Sequence, residues 1–242
     1  LCDSLANFFH DKISVIYKDF KPKLPAVDTL NLLAPMNTQP DLSLTTWYHL
    51  STQETLSIVN SIHSGAPTDP CPHHIFNLGN KLISSELRKV LNTSITSPSF
   101  PEQWQHAEVT PLLKKPSAVP RALNNLSSIS LHSFPAKVLE KVINMQLTEH
   151  LERNNLLDPS QSGFRANHST ETALIAGTDY IRTLLDCGET VALILLDLSV
   201  AFDTVSHHTL IKRLHHTGIQ GEALKRIASY LTDRKSVCRE RV

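Results

Sequence analysis

Residues 189–203 read ETVALILLDLSVAFD. Six consecutive apolar residues, Val191 to Leu196, run into Asp197, and a second aspartate, Asp203, follows six positions later. A run this uniformly apolar is wrong for a half-exposed edge and predicts a central strand over 189–197, covered on both faces. A carboxylate at the carboxyl end of such a strand is aimed rigidly and suits a hard divalent cation such as Mg²⁺, which keeps its other positions for water and phosphates. An aspartate there equally suits a plain turn or helix cap, so the stretch alone leaves both readings open.

Working outward, apolar periodicity predicts two short helices after the strand, over 206–216 and 220–232. Upstream lies a helix over 169–185, preceded by the loop QSGFRANHSTETA at 161–173. In that loop Gly163 permits a tight turn, and Arg165 offers a planar fork for a phosphate or carboxylate. A long helix is expected over 133–153, with Ser133 as cap, Pro135 in the first turn and a stripe of Val138, Leu139, Val142, Ile143 and Leu147. A strand over 106–113 delivers Lys114 and Lys115 into a proline-containing turn, and 114–133 reads as mostly loop. Further back come a helix over 75–91, a loop over 64–74 and a capping-box helix over 51–62. Residues 20–50, with Pro22, Pro25, Pro35 and Pro40, read as a linker, and 1–19 as a helix carrying Leu5, Phe8, Phe9, Ile13 and Ile16.

Composition bounds the function classes. The chain has 242 residues, 40% of them apolar and 19% charged, with 23 basic residues against 23 acidic. A polycationic or acidic solvating tail is excluded. Local charge is uneven: residues 1–70 carry net −3, residues 71–165 net +3 and residues 206–242 net +5. Two mildly basic regions thus offer footing for a polyanion. No apolar run approaches the roughly 20 residues that span a bilayer, and no membrane partner is expected. Four scattered cysteines form no disulfide framework, which points to a reducing, intracellular compartment. Starting at Leu1 without a signal-peptide pattern, the sequence reads as an excerpt of something longer. The paired histidines at 207–208 and 215–216, and Cys71-Pro-His-His, lack the further ligands that a metal site needs. Trp47, Tyr48 and Trp104 read as packing residues.

Five segments, in order, carry a resemblance: FPEQWQHAEVTPLLKKP (100–116), LNNLSSIS (123–130), KVLEKV (137–142), QSGFRANHSTETAL (161–174) and LILLDLSVAFDTVSHHTL (193–210). Together they resemble the reverse transcriptases of LINE-type, non-LTR retrotransposons, and SYLTDR at 229–234 extends the likeness. The resemblance implies an α+β fold, a right-hand polymerase cut off in mid-palm, with helical fingers and the start of the palm sheet. It implies a connector over 1–99 and fingers plus partial palm over 100–242. By position, Asp197 matches the first catalytic aspartate, a ligand shared by two Mg²⁺ ions. Nucleotide contacts are implied for Lys114, Arg165, Leu198 and Phe202, the last as a steric gate against a ribose 2′-hydroxyl. Template contacts are implied for Gln161, Gly163 and Phe164, and a supporting role for Asp203. The implied partners are an RNA template and a DNA primer in the parent element, and deoxynucleotides, with no known protein partner.

Two departures bear on activity. Ser127 and Ser128 stand where the family has arginine and proline. No adjacent aspartate pair occurs in the chain. The expectation is a polymerase domain fragment that does not polymerise as this chain; the alternative is a degenerate, non-enzymatic remnant that binds RNA weakly.

Overall fold

The stripe of Val138, Leu139 and Val142, read from helical spacing, forms the floor of the core. The computed structural model describes residues 2–20, 43–63, 65–66, 69, 73–117, 119, 122–197 and 201–238. Along them run α1 (Cys2–Phe20), α2 (Thr52–Asn60), α3 (His73–Leu78), α4 (Asn80–Thr96), β1 (His106–Leu113), β2 (Leu126–His132), α5 (Phe134–Arg153), α6 (Thr170–Asp186), α7 (His207–His216), α8 (Gly221–Leu231) and β3 (Lys235–Cys238). Short 3₁₀ turns cover Glu102–Trp104, Leu123–Asn125 and Ala201–Thr204. The fold is α+β: helix-rich, with one small mixed sheet.

The core gathers Ile58 and Val59 of α2, Leu91 and Ile95 of α4, Phe134 to Val142 of α5, and Ile219 and Ala223 at α8, closed by Trp47, Leu50 and Phe100. It draws on residues from both sides of position 100. Local chemistry caps α2, α6 and α7, each through a serine side chain. At α2, Ser51 Oγ accepts from the Glu54 N–H, and Glu54 Oε2 accepts from the Ser51 N–H at 2.8 Å. Ser169 and Thr172 close the same reciprocal pair at α6. Helix α5 differs. Its flanking Ser133 has a buried hydroxyl without a hydrogen bond, and the free N–H of Phe134 donates instead to Asp69 Oδ2 at 2.8 Å. The cap therefore comes from the 64–74 loop, because a carboxylate is a stronger acceptor for an orphan helix N–H than a hydroxyl. The single helix expected over 75–91 is divided into α3 and α4 at Gly79, the weakest helix former in the run.

The expected linker over 20–50 splits. Residues 21–42 lie outside the described residues, but 43–50 is a strap laid into the core. Leu44 forms a parallel bridge to Ile219. Two side-chain amides then act as strand partners for the strap. Gln146 accepts from the Tyr48 N–H at 2.9 Å and donates to its carbonyl at 3.0 Å, and Asn92 does the same for Leu50 at 2.8 and 3.1 Å. Every polar backbone group so paired escapes a desolvation penalty of about 1–3 kcal/mol. Gly221 makes the approach possible: its φ is +56°, and a Cβ there would meet the Thr45 carbonyl at 3.1 Å.

The sheet order is β2-β1-β3, with β1 antiparallel to β2 and parallel to β3. One expectation is corrected here. The stretch 114–133 contains β2, hidden in sequence because LSSISLH lacks clean alternation; cross-strand pairing with β1, from Ala107 opposite His132 to Leu113 opposite Leu126, makes it a strand. Residues 235–238 add to β1 as β3.

Candidate functional site

Each motif segment folds by its own local chemistry. In the 161–165 turn, the Gln161 N–H donates to the Asp158 carbonyl at 3.0 Å, and Gln161 Nε2 donates to the Gly163 carbonyl at 3.0 Å. Arg165 Nη1 donates to the Asp158 carbonyl at 3.1 Å. Part of the guanidinium is thus committed to holding the turn. The left-handed position of this turn is Phe164, with φ +59°, while Gly163 does not have positive φ. A bulky residue in that region costs on the order of 1–2 kcal/mol. The cost is accepted here with the Phe164 ring 94% exposed, so burial of the ring does not offset it.

The ring does have a neighbour. Phe202, on the Ala201–Thr204 turn, meets Phe164 edge to face, with centroids 5.7 Å apart and planes at 89°. The next residue, Asp203, lines a cleft of about 420 Å³ with Lys114, Leu126, Ser127 and Ser128 from the β1–β2 end of the sheet, and with Phe9, Lys12 and Ile13 of α1. Lys114 is oriented at the end of β1 by a 2.7 Å bond from Nζ to the Asn124 carbonyl. Three motif segments that are far apart in sequence therefore meet around one 3₁₀ turn: 161–165 through Phe164, 201–204 through Phe202 and Asp203, and the β1 end through Lys114. The wall supplied by α1 was not foreseen. Lys12 lies about a hundred residues from Lys114, and no local pattern announces the contact.

Asp197 stands differently from its expectation. Residues 189–197 adopt no regular secondary structure and form no ladder with a described strand, and Leu193 to Leu196 are 68–88% exposed. The predicted buried central strand is absent. The physical reason is the lack of cover: a strand apolar on both faces needs neighbours above, below and alongside, and none of the described elements packs there. Asp197 is exposed, and Leu198 lies outside the described residues.

Reverse transcriptases generally use divalent metals, so the donor set matters. Among the described residues no group of three or more His, Cys, Asp or Glu side chains comes together. Asp203 is turned to the cleft with Lys114. The described residues do not fit a two-metal centre by themselves, because one exposed carboxylate supplies too little charge and too few oxygens. No described helix is long and apolar enough to cross a membrane.

Comparison with known proteins agrees with the motif reading. The chain is 30% identical over 158 residues to a probable RNA-directed DNA polymerase from transposon BS of Drosophila melanogaster, an alignment covering 64% of this chain and 17% of that protein. It is 29% identical over 150 residues to the corresponding probable polymerase from transposon X-element of the same fly, covering 62% and 16%. The matched stretch thus spans about a sixth of the length of these curated relatives. Residues 113–241, more than half of the chain, match the family model of reverse transcriptase, RNA-dependent DNA polymerase. From the LLKKP end of β1 to the residues after β3, this chain belongs to the reverse transcriptase family.

Proposed function

We propose that this domain holds the template–primer and nucleotide side of a LINE-type, RNA-directed DNA polymerase, with a connector over 1–99 and fingers plus partial palm over 100–242. The observation that carries the reading is the convergence of the Lys114, Phe164 and Phe202–Asp203 segments on one turn. Lys114 and Lys12 place two cations at a cleft with a single carboxylate, a balance that favours a phosphate. Exposed Phe164 and Phe202 present ring faces and edges on which bases or a sugar can pack, as stacking platforms in single-strand binders do. Gln161, Gly163 and Phe164 line the template path, and Arg165, Leu198 and Phe202 bear on the incoming nucleotide, Phe202 by rejecting a 2′-hydroxyl on size. Asp197 is the catalytic carboxylate and Mg²⁺ the ion of the intact polymerase, whose donor set is not assembled among the described residues.

A second reading, a non-enzymatic remnant with weak RNA affinity, is favoured by Ser127 and Ser128 in the cleft wall, where the family pattern has a guanidinium and a rigid turn. The two separate in one titration. Anisotropy of a labelled RNA template–DNA primer with the 1–242 chain should show binding that weakens linearly in log affinity with log salt. Lys114→Ala should lower that slope by about one, the signature of one phosphate contact. Phe164→Ala should weaken binding at every salt concentration. Primer extension by 1–242 with Mg²⁺ should give no product. Binding indifferent to both substitutions, and equal for unprimed RNA, would leave the remnant reading standing. Extension abolished by Asp197→Ala would establish the catalytic role and overturn the expected inactivity.

A further inference from the structure

Helix α7, HHTLIKRLHH, carries Lys212, Arg213 and four histidines and no acidic residue, and the whole stretch 204–221 is free of Asp and Glu. Three other helices balance their surface charge. Glu86 pairs with Lys89 on α4, Glu149 with Arg153 on α5 and Glu222 with Lys225 on α8, each within about one turn. The side chains of Lys212 and Arg213 make no ion pair or hydrogen bond among the described residues.

Helical spacing sets the groups of α7 in order. His208, Lys212, His215 and His216 fall at i, i+4, i+7 and i+8, on one side of a helix about 15 Å long. His208 and His215 are exposed, and Lys212 and His216 are half-buried. The opposite side carries Leu210 and Leu214, which line an apolar pocket with Ile143 and Leu147 of α5 and Ile227 of α8. The His216 ring is oriented: its Nδ1 lies 2.7 Å from the Lys212 carbonyl, and a carbonyl only accepts, so Nδ1 carries the proton. Like charges four residues apart disfavour a helix by ~0.2–0.5 kcal/mol per pair, and cations in the first turn oppose its dipole. Helix α7 keeps this pattern with no local compensation. Such breaks in local consistency are a mark of surfaces shaped by a partner.

We infer that the outer face of α7 is a second contact surface for nucleic acid. His208, Lys212, His215 and His216, with Arg213 at the margin, hold sugar–phosphate backbone there without reading bases. Membership of the reverse transcriptase family makes a phosphate polymer the polyanion at hand. A membrane surface does not fit, since it needs apolar side chains beside the cations, and those of α7 are turned toward α5 and α8. The first residue of α7 follows Asp203 of the motif cleft by four positions, so the two surfaces sit on adjoining elements. They share no residue, and the inference stands without the cleft reading.

The probe is a labelled oligouridine RNA of about 30 nucleotides, read by anisotropy with the 1–242 chain at pH 7.5 from about 50 to 200 mM salt. A combined Lys212→Gln, Arg213→Gln variant, with helical circular dichroism retained, should lower the slope of log affinity against log salt by about 1.4. That is two phosphate contacts at about 0.7 each on a single strand. Lys225→Gln removes a cation from the neighbouring helix and should leave the slope unchanged. The imidazole resonances of His208 and His215 should move when RNA is added. An unchanged slope in the combined variant, or an equal fall per cation in Lys225→Gln, would overturn the inference. So would uptake on phosphatidylserine vesicles that exceeds RNA binding and is lost in the combined variant. Should that variant not fold, Lys212→Gln alone should lower the slope by about 0.7, and stationary imidazole resonances in the unaltered chain overturn the inference without any substitution. Lys114→Ala separates the two surfaces: no effect from it, beside a full loss in the α7 variant, would remove the cleft reading and leave this one.

Discussion

Two regions of this chain obey opposite rules. The helical core, built from the 43–50 strap, α2, α4, α5 and α8, buries its apolar residues and ties them with hydrogen bonds spanning up to 129 residues in sequence. Between 156 and 205 no described residue is buried, although this region lies wholly inside the stretch that matches the reverse transcriptase family. Its turns and caps are held by contacts within a few residues, such as Arg165 to Asp158 and Ser169 to Thr172. The contrast separates what makes the fold stable from what makes the domain a reverse transcriptase. Stability resides in residues with no chemical signature. The signature residues sit on surface turns, supported by short-range hydrogen bonds and one aromatic contact.

The largest effect expected is the split between Leu139 and Leu195. Leu139→Ala should lower stability by about 2–5 kcal/mol in urea unfolding, because a fully buried side chain leaves a cavity. Leu195→Ala, at 84% exposure, should change it by less than about 0.5 kcal/mol. Comparable losses would show that 189–197 is packed after all and would erase the contrast.

Next comes the strap. Gln146→Leu strips Tyr48 of both backbone partners and should cost about 1–3 kcal/mol for each group left buried. Amide exchange at Tyr48 should accelerate with it, while exchange in α6 stays unchanged. Gly221→Ala is milder, about 1–2 kcal/mol, from the left-handed backbone and the 3.1 Å approach to Thr45. A neutral Gly221→Ala would mean that the strap yields and is not a rigid part of the core.

Alkaline pH sharpens the core side further. Burial lowers the Arg226 guanidinium to about 10, so the unfolded chain holds that proton more tightly and stability rises with pH above about 10. Tyr230 is pushed up to about 12, first by burial and then by Glu140, so its contribution is full below 10 and is lost between 10 and 12. The two slopes oppose, and the unaltered chain should be nearly flat there. Tyr230→Phe should unmask the rise and Arg226→Met the fall, read as urea midpoints at pH 9 and 11. The smallest effect belongs to the motif side. A Phe164→Ala, Phe202→Ala double-mutant cycle should give a coupling of no more than about 0.5 kcal/mol, since both rings are largely solvated.

The helices were legible because their signals are local. The capping boxes at Ser51 and Ser169, the stripe of α5 and the Ser206 start of α7 act within one or two turns, and each appears where periodicity places it. The family was legible for a related reason: order and spacing of short motifs survive without knowledge of their contacts. Gly163 marked the turn correctly, and the residue that takes the left-handed conformation, Phe164, carries no sequence signal for it. Lys12 and Asp69 left no trace, because the groups they face lie roughly 100 and 65 residues away.

Thus the sequence alone determined the α+β class, the positions of most helices and membership of the reverse transcriptase family, all of which depend on interactions or patterns a few residues long. Only the tertiary structure decided which extended segments became strands. β2 has poor alternation and pairs; 189–197 has the strongest strand pattern in the chain and does not. A strand is stabilised by the ladder beside it and the layers that cover it, and those partners are supplied by distant parts of the chain rather than by the segment's own residues.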